Sequence, residues 1–264
     1  MATPKRRRLE SAIVAVQQRY GEQSLRRADD PALQRIPPHI STGFGSLDAL
    51  TGCKGLPLNA NVLLTGRMTS GKLTVAYKAL AAAQAGASRA RAAATVAILD
   101  LARTASPDYL ARCGLDVERV LIARPDSGQA AVDLALDLVR TRGVRAVLAD
   151  SLAEIAAESE GARHLAANLG KLNRLLDGSG CLVMWIDEPE PAWMRLLNWD
   201  RGAALRQYTA LHLSFQQEQR VEQAKGLAGY TAQVRLVKSR WARAGATATI
   251  SILFNGTVRA QSTW

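Results

Sequence analysis

Residues 61–74 read Asn-Val-Leu-Leu-Thr-Gly-Arg-Met-Thr-Ser-Gly-Lys-Leu-Thr. An apolar strand candidate, Asn61 to Thr65, runs into a turn bounded by glycines, and a helical pattern follows from Leu73 to Gln84. Gly66, Gly71 and Lys72 have the spacing G-x-x-x-x-G-K, and the strand–turn–helix context is what gives that spacing meaning. Glycines let the backbone curl until its N–H groups face a polyphosphate. The helix N-terminus adds partial positive charge and Lys72 a full one. The residue after the lysine supplies, in such a loop, a hydroxyl for Mg²⁺. Here it is Leu73, which has no oxygen to offer. Thr74 carries a hydroxyl, but it sits about 100° further round the helix. The loop therefore predicts nucleotide binding and leaves hydrolysis in question.

Strand and helix patterns alternate along the chain. Strands are predicted at 61–65, 95–100, 119–124, 145–150 and 181–186, and helices at 72–86, 106–112, 128–142 and 164–177. The strands are short, apolar and without alternation, as in Ala146-Val147-Leu148-Ala149 and Leu182-Val183-Met184-Trp185-Ile186. Such strands are covered on both faces, as in a parallel sheet with helices on either side. After residue 205 the segments 208–215, 231–237 and 247–254 alternate better and have no long helix between them, so antiparallel strands are expected to close one edge. The fold class predicted is α/β, with a mostly parallel twisted sheet, helices on both faces and antiparallel edge strands. Residues 79–94 read as a helix end plus a surface loop.

With 264 residues, nearly half of them hydrophobic, the chain can bury a substantial core. Its formal net charge of +11 favours a polyanionic partner. Cys53, Cys113 and Cys181 are widely spaced and make no C-x-x-C pair, so a reducing cytoplasm is the expected location. His39, His164 and His212 are too scattered for a metal site. No apolar run reaches membrane-spanning length, so no membrane association is expected. Lys5 to Arg8 are basic, with no apolar signal core behind them. Residues 1–9 read as a disordered basic arm, 10–19 as an amphipathic helix, and 29–38 as a linker with three prolines. The core is expected from about residue 36 to 264, with 1–35 as a separate N-terminal part.

The order of short motifs resembles the bacterial RecA recombinase family over nearly the whole chain. Ile40-Ser41-Thr42-Gly43, Ser46-Leu47-Asp48 and Gly55-Leu56-Pro57 look like that family's lead into its phosphate loop. Pro107 and Tyr109, with Gly114-Leu115-Asp116, resemble its next helix, and Arg124-Pro125-Asp126-Ser127-Gly128-Gln129-Ala130 is similar to its Q-P-D-T-G-E-Q-A run. Ala149-Asp150-Ser151 resembles its Walker B strand end, and Val237-Lys238-Ser239-Arg240 its V-K-N-K. Ile13 to Tyr20, with Gly21 and Ser24-Leu25, resembles its N-terminal helix and strand, which implies a protomer interface.

The resemblance implies roles. Gly66, Arg67, Met68, Thr69, Ser70, Gly71, Lys72 and Leu73 would form the phosphate loop of an ATP site, with Tyr109 stacking on adenine. Asp150 would reach Mg²⁺ through water. Lys238 and Arg240 would project toward ATP held by a neighbouring protomer. The family's second DNA-binding loop corresponds to residues 189–203. There Trp193, Arg195, Asn198, Trp199 and Arg201 suit stacking on unpaired bases and pairing with phosphates. Its first DNA loop corresponds to residues 152–163, here shorter and acidic with Glu154, Glu158 and Glu160.

The departures carry equal weight. Ala102 stands where the family places a catalytic glutamate, and Asp187-Glu188 where it places the Asn-Gln that senses the γ-phosphate and relays to the DNA loop. A carboxylate close to a triphosphate repels it by up to ~4 kcal/mol per pair at intermediate dielectric. With Leu73, three catalytic parts have changed, and fast ATP hydrolysis is not expected. A further reading is a working ATPase with relocated catalytic carboxylates, such as Glu188 acting as a base. The resemblance covers the family's core and stops before its C-terminal domain.

The expectation is thus a RecA-like protein of DNA repair or recombination that binds ATP and single-stranded DNA and self-associates. The rival expectation is a nucleotide-independent interaction module. It would resemble the short ImuA proteins of DNA damage tolerance and would dock a repair polymerase or another repair protein.

Overall fold

The computed structural model describes residues 4–22, 24–27, 35–86, 94–189, 202–223, 226–254 and 258–261. The chain divides into two units, Met1–Ile36 and Pro37–Trp264. In the first, helix α1 spans Pro4–Tyr20, so the basic residues 5–8 expected to be disordered are helical. Proline opens the helix, where its missing N–H costs nothing. Arg6 and Glu10 pair one turn apart at 3.4 Å. Ser24 and Leu25 form a bend, with the Gln17 amide donating to the Leu25 carbonyl at 2.9 Å.

The second unit begins with β1 (His39–Ile40), α2 (Gly45–Leu50) and β2 (Leu56–Pro57), the two strands pairing antiparallel. Then come β3 (Ala60–Gly66), α3 (Lys72–Gly86), β4 (Thr95–Asp100), α4 (Pro107–Arg112), β5 (Val120–Ala123), α5 (Gly128–Thr141) and β6 (Val144–Asp150). After these follow α6 (Leu152–Ile155), α7 (Ser159–Leu176), β7 (Leu182–Asp187), α8 (Ala203–Tyr208), β8 (Thr209–Gln223), β9 (Gly226–Ser239), β10 (Thr247–Phe254) and β11 (Val258–Gln261). Among the described residues the strands β3 to β11 form one nine-stranded sheet, in the order β11-β10-β9-β8-β3-β7-β6-β4-β5.

The predicted α/β architecture is the one observed, with one refinement at the seam. β8 pairs parallel to β3, from Asn61↔Thr209 to Gly66↔Phe215, and only its other edge is antiparallel, to β9. Alternating polar and apolar residues in 208–215 reported a strand near an edge but carried no information on its direction.

Apolar strands without alternation bury both faces here. Even-numbered residues such as Val62, Leu64, Ile98, Leu148 and Met184 pack with α3, and odd-numbered ones such as Leu63, Leu99, Val147 and Trp185 pack with α5 and α7. Inside the second layer the Trp185 indole donates to Asn61 Oδ1 at 3.0 Å, satisfying two buried polar groups at once. β5 is the exception, an edge strand whose Leu121 and Ile122 are 50% and 38% exposed. α5 starts where Ser127 Oγ accepts from the Ala130 N–H, an N-cap. Among the described residues no helix is long and apolar enough to cross a membrane.

The segment after β6 differs from its expectation as a loop. Leu152 and Ile155 are buried as α6, and α7 begins at Ser159 rather than near 164. Its Gly161 lies flat against the Ile155 carbonyl, where a Cβ would collide with backbone. Gly161→Ala should therefore cost on the order of 1–3 kcal/mol in urea denaturation, against at most a few tenths for Gly86→Ala at the end of α3, where there is open space and no left-handed backbone. Equal effects would show that the close approach is not needed.

Candidate nucleotide site

Parallel strands β3, β4, β6 and β7 end side by side, and the carboxyl edge of such a sheet is where α/β folds place ligands. β3 delivers the turn 67–71, while β4, β6 and β7 end on Asp100, Asp150 and Asp187, all buried. The turn admits nothing larger than glycine at its ends. A Cβ on Gly66 would lie 2.5 Å from Ser70 Oγ and 2.7 Å from the Phe215 carbonyl oxygen. Gly71, at φ +91°, has the Ile252 side chain at 2.8 Å from the same hypothetical atom. Ser70 Oγ is buried without a hydrogen-bond partner.

Lys72 opens α3 and is almost wholly buried. Its ammonium donates to the Arg67 carbonyl at 3.1 Å and to Glu188 Oε1 at 3.3 Å. The turn thus closes on its own lysine, and the carboxylate just past β7 meets the same charge. The neighbouring carboxylates are used differently. Asp100 accepts from the N–H groups of Thr104 and Ala105 at 2.8 and 3.2 Å and pairs with Arg124 at 3.0 Å. It therefore shapes the turn that carries Ala102. Asp150 accepts from the Thr104 hydroxyl at 2.6 Å. Burial raises its pKa, Thr104 and Lys72 pull it down, and Asp100 and Glu188 push it up.

Over these groups lies a cavity of about 590 Å³, in the size range of small-molecule sites. Met68 to Lys72, Leu73, Tyr109, Asp150 and Glu188 all line it, so the sequence-predicted loop, tyrosine and acids converge. Gly66 sits at the base of the turn, and Arg67 lines an adjoining groove with Pro189 and Gln217. Tyr109 is tethered, its hydroxyl 2.7 Å from Thr74 Oγ1 and its ring edge-on to Tyr77 at 6.0 Å. Burial pushes its phenol up to about 12, so it stays protonated. The Thr74 hydroxyl is thereby committed and does not replace the one missing at Leu73. Two further rings line the cavity, Tyr230 and Phe254, 5.7 Å apart. Sequence reasoning missed both. They come from β9 and β10, and their only signal was an aromatic at strand periodicity.

A family model for the RecA N-terminal domain matches residues 7–259. The chain is 28% identical to Protein RecA of Pseudomonas fluorescens (strain Pf0-1) over 273 residues, 95% of this chain and 74% of that protein. It is 29% identical to Protein RecA of Acidothermus cellulolyticus over 277 residues, 96% and 76% of the two chains.

The chain belongs to the RecA family.

Against the roles that membership implies, Lys238 and Arg240 stand apart from the cavity. Lys238 is level with His212, which is level with Leu63, three residues before the end of β3. Its ammonium donates to the Arg206 and Gln207 carbonyls at the end of α8, at 2.6 and 3.2 Å. α8 packs on the α5 and α7 face, the face opposite α3. Arg240 lines a separate cavity with Arg174, Asp177 and Tyr208. Neither RecA-family basic residue reaches the phosphate turn of its own chain. Trp193, Arg195, Asn198, Trp199 and Arg201, the candidate DNA-contacting residues, lie outside the described residues.

His212 bonds Thr65 Oγ1 at 2.9 Å, one residue before the turn. Burial, then Arg206 and Lys238, lowers its pKa to about 4. The unfolded chain takes up this proton below about pH 6.5 and the native chain only near 4, so stability is full above about 6.5 and falls as pH drops between the two values. Urea denaturation should lose about 3 kcal/mol from this group between pH 7 and 4. His212→Asn should flatten that part of the profile. An unchanged profile would contradict the assignment.

Proposed function

We propose that this RecA-family chain acts in DNA recombination or repair, binding a nucleotide in the cavity above residues 66–72 and single-stranded DNA through its basic surface, with little or no hydrolysis. The observation that carries the nucleotide reading is the open cavity over a turn too tight for any side chain at Gly66 or Gly71, with Lys72 at its end and aromatic rings in its wall. Backbone N–H groups and one ammonium suit phosphates, and flat rings suit a base. The buried Ser70 hydroxyl without a partner fits an added acceptor. ATP thus fits the residues present. Mg²⁺ fits more narrowly, because such an ion takes one or two carboxylates plus phosphates and water. Asp150 would face it, with no hydroxyl from Leu73 and none free on Thr74. Bound there, it would screen phosphate charge.

Hydrolysis needs a group to orient water. Ala102 has none, Asp100 is spent on Arg124 and the Thr104 turn, and Glu188 is tied to Lys72. The ImuA-like alternative gains no support from a cavity this open. For DNA, the net charge of +11 is the argument, together with the tryptophan and arginine residues at 193–201. Self-association is supported by the open edge of β5 with exposed Leu121 and Ile122, by exposed Leu9 and Val14 of α1, and by basic Lys238 and Arg240 on the face away from the chain's own cavity. A cytoplasmic location accords with three separate, buried free cysteines.

A fluorescent ATP analogue titrated into the protein with Mg²⁺ should bind, and Lys72→Ala should weaken it by about tenfold or more. Oligo-dT affinity should fall at least about tenfold between roughly 50 and 200 mM salt, because bound phosphates release counterions. No nucleotide binding in either protein removes the first half of the proposal, and no DNA binding at low salt removes the second.

A further inference from the structure

The lysine of a G-x-x-x-x-G-K turn reaches the outer phosphates of a nucleotide, while the turn's N–H groups hold the inner ones. In this chain the lysine already has an anion. An ammonium has three N–H donors. Lys72 spends one on the Arg67 carbonyl and one on Glu188 Oε1. Glu188 is placed there by the sheet. It follows β7 directly, and β7 is hydrogen-bonded to β3 up to the pair Thr65↔Asp187, so the carboxylate is fixed beside the end of the strand that bears the turn. Two more carboxylates, Asp150 and Glu154, share the cavity wall with it. Among the described residues the cavity wall therefore carries three acids and one ammonium, and the ammonium is already paired. Among the described residues no carboxylate is bonded to the backbone of residues 67–71, where the Ser70 N–H donates to the Arg67 carbonyl at 3.2 Å.

We propose that Glu188 is a specificity-determining residue that stands in for a terminal phosphoryl group at Lys72, so that the site takes a nucleoside diphosphate in preference to a triphosphate. The inference rests on the nucleotide reading above. A diphosphate satisfies the turn and the third N–H of Lys72 while leaving the Glu188 pair intact. A triphosphate must displace Glu188 from Lys72 or lie against it with like charge. The neutral, isosteric Glu188→Gln keeps a hydrogen bond to Lys72 and removes the like charge.

The test is competition by ADP and by ATP against a fluorescent ADP analogue, for the wild-type protein, Glu188→Gln and Glu188→Ala, with and without Mg²⁺. ADP should bind the wild type at least about tenfold more tightly than ATP in both conditions, and both variants should bring the ratio to one or reverse it in favour of ATP. A wild type that prefers ATP, or a ratio unchanged in both variants, overturns the inference while leaving the site a nucleotide site. An ATP preference restored by Mg²⁺ in the wild type alone also overturns it, since Glu188 would then be holding the cation. Absence of any nucleotide binding in all three proteins removes the nucleotide reading itself.

Discussion

One buried ammonium organises the candidate site. Lys72 Nζ holds the Arg67 carbonyl, and so the curl of the turn, and it holds Glu188, and so the exit of β7. Because Lys72 is buried, its charge needs company, and an unpaired buried cation would be costly. The chain has met that need from within. A phosphate turn that must otherwise find its anion in a ligand here carries one on the next strand, and that strand is locked to β3 by the sheet.

The same sheet explains why the site is partial in one chain. Parallel strands bring the turn, Asp150 and Glu188 to one edge, while Lys238 sits lower on β9 and faces α8 across the other layer. Lys238 lies level with Leu63, three residues before the end of β3, and is held there by the carbonyls of α8. If Lys238 and Arg240 serve a nucleotide, it belongs to another copy, and Lys238 must first leave the two carbonyls that α8 offers it.

Much of this was legible in the sequence. Unalternating runs such as 146–149 and 182–186 reported strands buried on both faces, and the glycine spacing with its flanking periods located the turn within a residue of where it is. Leu73, where the loop spacing calls for a hydroxyl, and Ala102, where the family resemblance implies a glutamate, carry no polar group, and that much can be read from the chain itself. Other features depend on tertiary placement. Nothing in 208–215 distinguishes a strand parallel to β3 from an antiparallel one. Leu152 and Ile155 are buried, and Gly161 from a different helix closes on the Ile155 carbonyl, so an expected loop is packed structure. Tyr230 and Phe254 reach the cavity only because β9 and β10 fold back beside the turn. The Lys72–Glu188 pair joins residues 116 apart, and the sequence named both members without placing them together.

The most direct measurement is a crystal structure of the protein grown with millimolar adenine nucleotide. Phosphate oxygens should lie within about 3 Å of the N–H groups of residues 67–72 and of Lys72 Nζ, with the base against Tyr109, Tyr230 or Phe254. A turn of unchanged shape with no nucleotide bound there, or one filled by the side chains of Met68 and Leu73, would contradict the account.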